Sequence, residues 1–256
     1  MRLVQRWAVV SLVAVLAALG TAPDARAQGE QVWYEVDIVQ VKPDRLDDFS
    51  ELYQDEINPA LQRAGVPWRS AWVTGAFGSL YERTFVHPLS GFFSLDAGGP
   101  LAQGFRSTRQ LDRVLERLRE YTDARQSFAV LYRGDLSVES DDVSGLPIAR
   151  VTNLEIAPGQ TPAFESFLRN NHESFRQAGV IFGIYHRQFG PGPVVWQIVE
   201  NLRNYDELER GGILRAFGDA DAARALDELT GVVLSVERTV LEYDASLSYR
   251  GAGFTQ

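Results

Sequence analysis

The chain repeats itself, and that constrains its fold more than any other feature. Val41-Lys42-Pro43, Phe49 and Ala64-Gly65-Val66 punctuate the first half. Ile156-Ala157-Pro158, Phe164 and Ala178-Gly179-Val180 do the same in the second, at an offset of 115 for the first two marks and 114 for the third. Further on, Gly75 matches Gly190, Leu80-Tyr81 matches Val195-Trp196, Gly98-Gly99 matches Gly211-Gly212, and Leu136-Ser137 matches Leu247-Ser248. A period this long makes the chain two copies of one small unit rather than a solenoid of short repeats.

Each copy reads as strand, helix, strand, strand, helix, strand. In the first, Gln31 to Val41 is rich in β-branched and aromatic residues, and Pro43 stops the strand. Asp44 is a candidate helix cap. Apolar residues from Leu46 to Ala64 then recur at three- and four-residue steps up to Gly65, with Pro59 expected to kink or break the helix. Trp68 to Thr74 and Leu80 to Val86 are predicted strands around a Gly-containing turn, Leu111 to Tyr121 a second helix, and Phe128 to Ser137 a last strand. The second copy has strands at Ile148 to Ile156, Ile181 to Phe189, Val194 to Glu200 and about Val232 to Ser248. Its helices open at Thr161-Pro162 and at Asp219.

A βαββαβ unit leaves one sheet face without helices, so two units are expected to cover those faces mutually. The expected fold is α+β: two tandem ferredoxin-like domains, 28–137 and 148–256, joined by linker 138–147 and packing sheet to sheet as a pseudo-dimeric α+β barrel.

The stretch Val36 to Gly65, with Val-Lys-Pro-Asp-Arg-Leu-Asp-Asp-Phe, Glu-Leu-Tyr and Glu-Ile-Asn-Pro-Ala-Leu-Gln-Arg-Ala-Gly, resembles the opening of NIPSNAP-like domains of the dimeric α+β barrel superfamily. Ile156 to Gly179 is similar but lacks the Asn-Pro-Ala-Leu stretch. The resemblance implies the fold and little chemistry. Barrel relatives include cofactor-free monooxygenases, haem-degrading enzymes and plain ligand binders, and fold alone does not choose among them.

The first 27 residues read as an address. Arg2 and Arg6 precede an apolar run from Trp7 to Leu19, and Ala25-Arg26-Ala27 offers a small-x-small cleavage site, so the expectation is a signal peptide cleaved after Ala27 and an exported, periplasmic or secreted, protein. The run is short for a membrane span. Losing Arg2, Arg6, Arg26 and Asp24 leaves 22 basic and 33 acidic residues, a net charge of −11. That sign disfavours nucleic acid and anionic membrane surfaces as partners. Without cysteine, a disulfide framework, a thiol nucleophile and Cys-ligated metal are excluded.

Strand aromatics supply the candidate pocket: Trp33, Tyr34, Trp68, Trp72, Tyr81, Tyr185, His186 and Trp196 are expected to line a cavity for a small apolar or aromatic molecule. Ordinary core packing is the competing account of the same residues. Candidate catalytic residues are His186, Tyr185, Asn153 and Trp196. Asn153 and Trp196 resemble the Asn and Trp of barrel-type haem-degrading monooxygenases, although residues 219–229 lack the helical histidine of those enzymes. Of the other histidines, His172 borders the apolar stripe of its helix and His87 is expected in a loop. The three show no metal-ligand spacing. Glu35, Asp37 and Glu155 are strand carboxylates without an assignable partner. No cofactor is expected, with haem as an alternative. Function is left between ligand binding in a barrel, a barrel-type monooxygenase or haem-handling oxidoreductase, and a non-catalytic interaction module.

Overall fold

The structure, a computed structural model, describes residues 31–140, 146–210 and 212–251. The signal-peptide reading of residues 1–27 and residues 141–145 of linker 138–147 lie outside them, as does Gly211. No helix among the described residues is long and apolar enough to cross a membrane. The described residues fall in one compact unit.

Eight antiparallel strands close on themselves: β1 (Trp33–Val41), β2 (Trp68–Thr74), β3 (Glu82–Leu89), β4 (Thr122–Tyr132), β5 (Ile148–Ile156), β6 (Gly183–Phe189), β7 (Val195–Leu202) and β8 (Val233–Tyr243). The hydrogen-bonded order is β3-β1-β4-β6-β7-β5-β8-β2, and β2 returns to β3 to shut the ring. The first four strands stand in the order β4-β1-β3-β2 and the last four in the order β8-β5-β7-β6. The two sets meet at their edges, β4 on β6 and β2 on β8. The sheets therefore do not stack as two flat layers. Edge pairing satisfies backbone groups that stacking would leave open, and it curls both sheets into one barrel.

Helices cover the outside. Over the first four strands lie α1 (Leu46–Leu52), α2 (Asn58–Arg63), α3 (Phe93–Asp96), α4 (Gly99–Gly104) and α5 (Thr108–Tyr121). Over the last four lie α6 (Thr161–Gln177) and α7 (Asp219–Leu229). Pro59 does not break its helix. The π-helical turn Tyr53–Ile57 joins α1 to α2 just ahead of it, and this wider turn absorbs the missing N–H and the ring. Asp44 lies within the 3-10 turn Pro43–Arg45 and makes no cap; α7 begins at Asp219, with Gly218 at the cap position. The last strand of the first half is Thr122–Tyr132, earlier than its apolar residues suggest, because its polar first turns are exposed. Between α2 and α4 the backbones nearly touch: a Cβ on Gly104 would stand 2.0 Å from the Ala60 carbonyl oxygen, so only glycine fits that crossing.

Two apolar clusters lie between sheet and helices. One gathers Val39, Phe49, Leu52, Tyr53, Phe85, Val114 and Leu118; the other gathers Phe164, Leu168, Phe175, Ile184, Trp196 and Ile198. Each is completed by the tail that follows the other half's last strand. After β4, Leu136 and Val138 enter the second cluster, Ser137 Oγ accepts from the Ile184 N–H at 2.9 Å, and Val138 bridges to Phe182. After β8, Leu247 enters the first cluster, Ser248 Oγ accepts from the Ala71 N–H at 2.8 Å, and β9 (Tyr249–Arg250) pairs with β2. Both serines donate to a carbonyl four residues back, Arg133 and Asp244, so each tail enters through the same turn.

This exchange predicts that Leu136→Ala and Leu247→Ala each lower unfolding free energy by about 2–5 kcal/mol in urea denaturation, as expected for fully buried leucines. A Leu247→Ala change of under about 0.5 kcal/mol, the range typical of surface substitutions, would mean that the tail does not complete the first cluster.

Candidate functional site: the barrel lumen

Alternation along each strand sends every second side chain inward. The inward set encloses a chamber of about 360 Å³. Its wall is largely apolar, from Val36, Ile38, Val86, Phe128, Val130, Val151, Val199 and Leu241, with aromatic rings from Tyr34, Trp68, Trp72 and Tyr185. Tyr34 lies 5.8 Å from Trp68 and 5.9 Å from Tyr185, ring centre to ring centre, and Tyr185 lies 5.2 Å from Tyr132. Trp72 packs edge-on against Tyr243, and its Nε1 donates to Ser70 Oγ at 3.0 Å.

Polar groups enter this wall as a row. Tyr185, Gln197, Asn153 and Glu237 are successive register partners on β6, β7, β5 and β8, and therefore share the inward face. Gln197 Nε2 donates to Asn153 Oδ1 at 2.8 Å, which fixes both amides. Burial holds the Tyr185 phenol well above its ordinary titration range, with the neighbouring Tyr34, Tyr132 and Glu139 adding to the effect, so it stays a neutral hydroxyl. Glu82 on β3 also lines the chamber. Its carboxyl is raised, first by desolvation and then by Glu237.

Of the sequence-chosen residues, Tyr34, Trp68, Trp72, Tyr185 and Asn153 line the lumen. His186 and Trp196 do not. Their neighbours Tyr185 and Gln197 or Val195 alternate with them, so both point outward beneath α6, where their rings stack at 4.2 Å and 8°. Trp196 is fully buried against Phe164, and His186 Nδ1 meets Gln188 Nε2 at 2.7 Å. Burial and Arg133 lower the His186 pKa, which keeps the ring neutral. Trp33 packs on Phe92 and Phe189, and Tyr81 sits in the turn before β3. His172 Nε2 lies 2.9 Å from the Ser137 carbonyl, where it ties down the crossing tail. Glu155 accepts from Ser235 Oγ at 3.0 Å.

His87 is no loop residue: it is a buried member of β3 on the outer face, opposite Glu35. Pro88 misleads here because the strand tolerates it near its end. Gln197, Glu82 and Glu237 were missed. Their strands were legible, but inward parity follows only from the register across the ring.

No family model matches the chain, and no curated protein sequence does. Solved structures do match in shape. An anthrone oxidase-like protein aligns over 87% of this chain and 94% of its own, with a TM-score of 0.61 at 10% identity. The fold is that of the dimeric α–β barrels. A candidate monooxygenase from Lactobacillus acidophilus NCFM covers 84% and 95% (TM-score 0.54, 9% identity), and a chlorite dismutase mutant from Candidatus Nitrospira defluvii covers 86% and 94% (TM-score 0.53, 10% identity). At these identities the likeness is one of fold alone.

Haem was the cofactor alternative, and the donor set argues against it. The larger cavity, about 730 Å³ under α6 and α7, is lined by Arg150, Glu200, Phe164, Leu226 and other residues that include no His, Cys or Met. The lumen lining has none either. Among the described residues no three His, Asp or Glu side chains cluster as a metal site.

The Glu82–Glu237 coupling predicts that Glu237→Gln lowers the Glu82 midpoint, while desolvation keeps it above the ordinary glutamate value of about 4.3. Carboxyl ¹³C chemical shifts against pH read this directly; an unmoved midpoint would remove Glu237 from the account.

Proposed function

We propose that the protein binds a small, flat, mostly apolar aromatic molecule in the barrel lumen. The observation that carries this is the wall itself: five aromatic side chains around about 360 Å³, with a row of polar side chains, Tyr185, Gln197 and Asn153, to orient a hydroxyl or carbonyl substituent. The volume lies within the range of small-ligand sites. Apolar surface supplies affinity, and the amide pair supplies direction, because a buried amide left unmatched by the ligand is costly.

A second reading, an oxidoreductase acting without a bound cofactor, is favoured by Glu82. A carboxylate raised by desolvation inside an aromatic chamber is a suitable base for an acidic C–H or O–H of a hydroxylated aromatic. The anthrone oxidase-like and monooxygenase-like neighbours are consistent with that chemistry. In this reading Tyr185 and Asn153 touch the substrate, whereas His186 and Trp196 only support β6 and β7 from outside.

The tandem reading belongs here too: the matching strand orders and matching tails support two copies of one βαββαβ plan, with a NIPSNAP-like opening in the first. Export after cleavage at Ala27 is likewise our reading, and an intact mass of the cell-envelope protein equal to residues 28–256 is the expected result.

Titration of the protein with anthrone and related flat aromatics should quench the fluorescence of Trp68 and Trp72. Val151→Trp, which places an indole inside the chamber, should weaken this at least tenfold while leaving the far-ultraviolet spectrum intact. Unchanged binding in Val151→Trp would move the ligand out of the lumen. For the second reading, oxygen uptake with anthrone should fall at least a hundredfold in Glu82→Gln while binding persists; uptake that survives the change would eliminate Glu82 as the base.

A further inference from the structure

On the other side of the β1–β3 wall, between the sheet and helices α2, α4 and α5, lies a second chamber of about 250 Å³. Its floor is unusually polar for a helix-covered sheet face. Arg69 on β2 and His87 on β3 each lie one step beyond the Ser70–Val86 register pair, and His87 in turn faces Glu35 on β1, so the three form a row across adjacent strands. Asp37, one pair further along β1, accepts from Arg125 Nε and NH2 at 3.2 and 2.8 Å and from Ser127 Oγ. Its carboxyl is thereby held below the usual range despite burial.

Two side chains in this row are left with open hydrogen bonds. Arg69 is 3% exposed, with its guanidinium over the Phe85 and Tyr53 rings. Its NH1 donates to Asn58 Oδ1 at 3.2 Å and its NH2 stands 3.8 Å from Asp37, but Nε has no partner. His87 is 4% exposed, and neither ring nitrogen makes a hydrogen bond; its closest ionic neighbour is Glu35, at 3.5 Å. Buried donors without acceptors are rare and cost free energy, so two on neighbouring strands beside one chamber call for an occupant that brings acceptors.

The other half supplies the contrast. On β5 and β7, which hold the same places in their strand order as β1 and β3, the pair corresponding to Glu35 and His87 is Arg150 and Glu200. That pair closes on itself with two hydrogen bonds of 2.8 Å. Both positions border a chamber, but in the second half the polar pair satisfies itself, and in the first it does not.

We infer that the chamber is a second ligand site, distinct from the lumen, which takes a small monocarboxylate with an apolar body. The carboxylate oxygens accept from Arg69 Nε–H and from His87, which carries at least one N–H in either tautomer. Asp37 does not compete for them, because Arg125 and Ser127 already engage it. Glu35 also borders the chamber, across His87 from Arg69 and with its Oε2 3.5 Å from His87 Nε2, so the carboxylate docks on the Arg69 side of the ring. The apolar body lies against Leu61, Leu95, Leu101, Leu111 and Leu115, which line the rest of the space.

Isothermal titration with hexanoate, against hexanol at matched ionic strength, tests this. Saturable one-to-one binding of hexanoate is expected, at least tenfold tighter than hexanol. It should persist in the lumen-blocking Val151→Trp protein and fall at least tenfold in both Leu115→Trp, which fills the chamber without touching its polar row, and His87→Leu. Absence of saturable binding, which leaves only water to satisfy Arg69 and His87, would overturn the proposal. So would equal affinity for hexanol, loss of binding in Val151→Trp, or affinity unchanged within twofold in Leu115→Trp and His87→Leu.

Discussion

Everything in this molecule follows from the need to pair four sheet edges. A four-stranded sheet with the order β4-β1-β3-β2 ends in two strands whose outer N–H and C=O groups have no partner, and an isolated edge of that kind invites association with other chains. Here β4 finds β6 and β2 finds β8, so closure removes both edges of each sheet at once. Closure also divides the side chains. On each strand one parity points into the lumen and the other meets helices, and a residue's chemical opportunities are decided by that division before any local detail matters.

The division explains why the lumen is suited to neutral ligands. Most inward positions are Val, Ile, Leu, Phe, Tyr or Trp, and the polar ones near the centre, Asn153 and Gln197, satisfy each other across β5 and β7. Among the described residues that line the chamber the charged side chain is Glu82, whose ionisation is made costlier first by desolvation and then by Glu237. The paired charges lie on the outer face instead: Asp37 with Arg125 and Arg69, and Arg150 with Glu200. Buried ion pairs of this sort contribute little net stability compared with apolar residues of the same volume, yet losing one partner is costly. They therefore restrict what evolution can change on those strands.

Local pattern revealed much of this architecture. Trp68–Thr74 and Ile148–Ile156 are strands over the very residues that their composition marks, and the apolar stripes of α5 and α6 face the two cores as their periodicity requires. Three features were beyond local pattern. The repeat Leu136-Ser137 and Leu247-Ser248 was visible, but the exchange was not: a linear pattern records that a leucine is buried without recording in which core. Strand aromatics were equally visible on both faces, so Trp196 and Trp72 looked alike until register placed one under α6 and the other in the lumen. Helices α3 and α4 are short and Gly-punctuated, with Gly98 and Gly99 both at positive φ, and they carry too few turns for periodicity to register.

The lumen and the outer chamber of the first half share a wall. Strand β1 presents Tyr34, Val36 and Ile38 to the lumen and Glu35 and Asp37 to the outer chamber, so one nine-residue strand forms part of both spaces. Strand β3 does the same with Val86 and His87. In the second half, β5 and β7 line the lumen with Val151, Asn153, Gln197 and Val199, and their outer face borders the chamber of about 730 Å³, beside which Arg150 and Glu200 are bonded to each other. Interiors packed at crystal density transmit displacement rather than absorb it. A change in β1 or β3 on one face is therefore felt on the other, and the same holds for β5 and β7, whose outer face also borders a chamber.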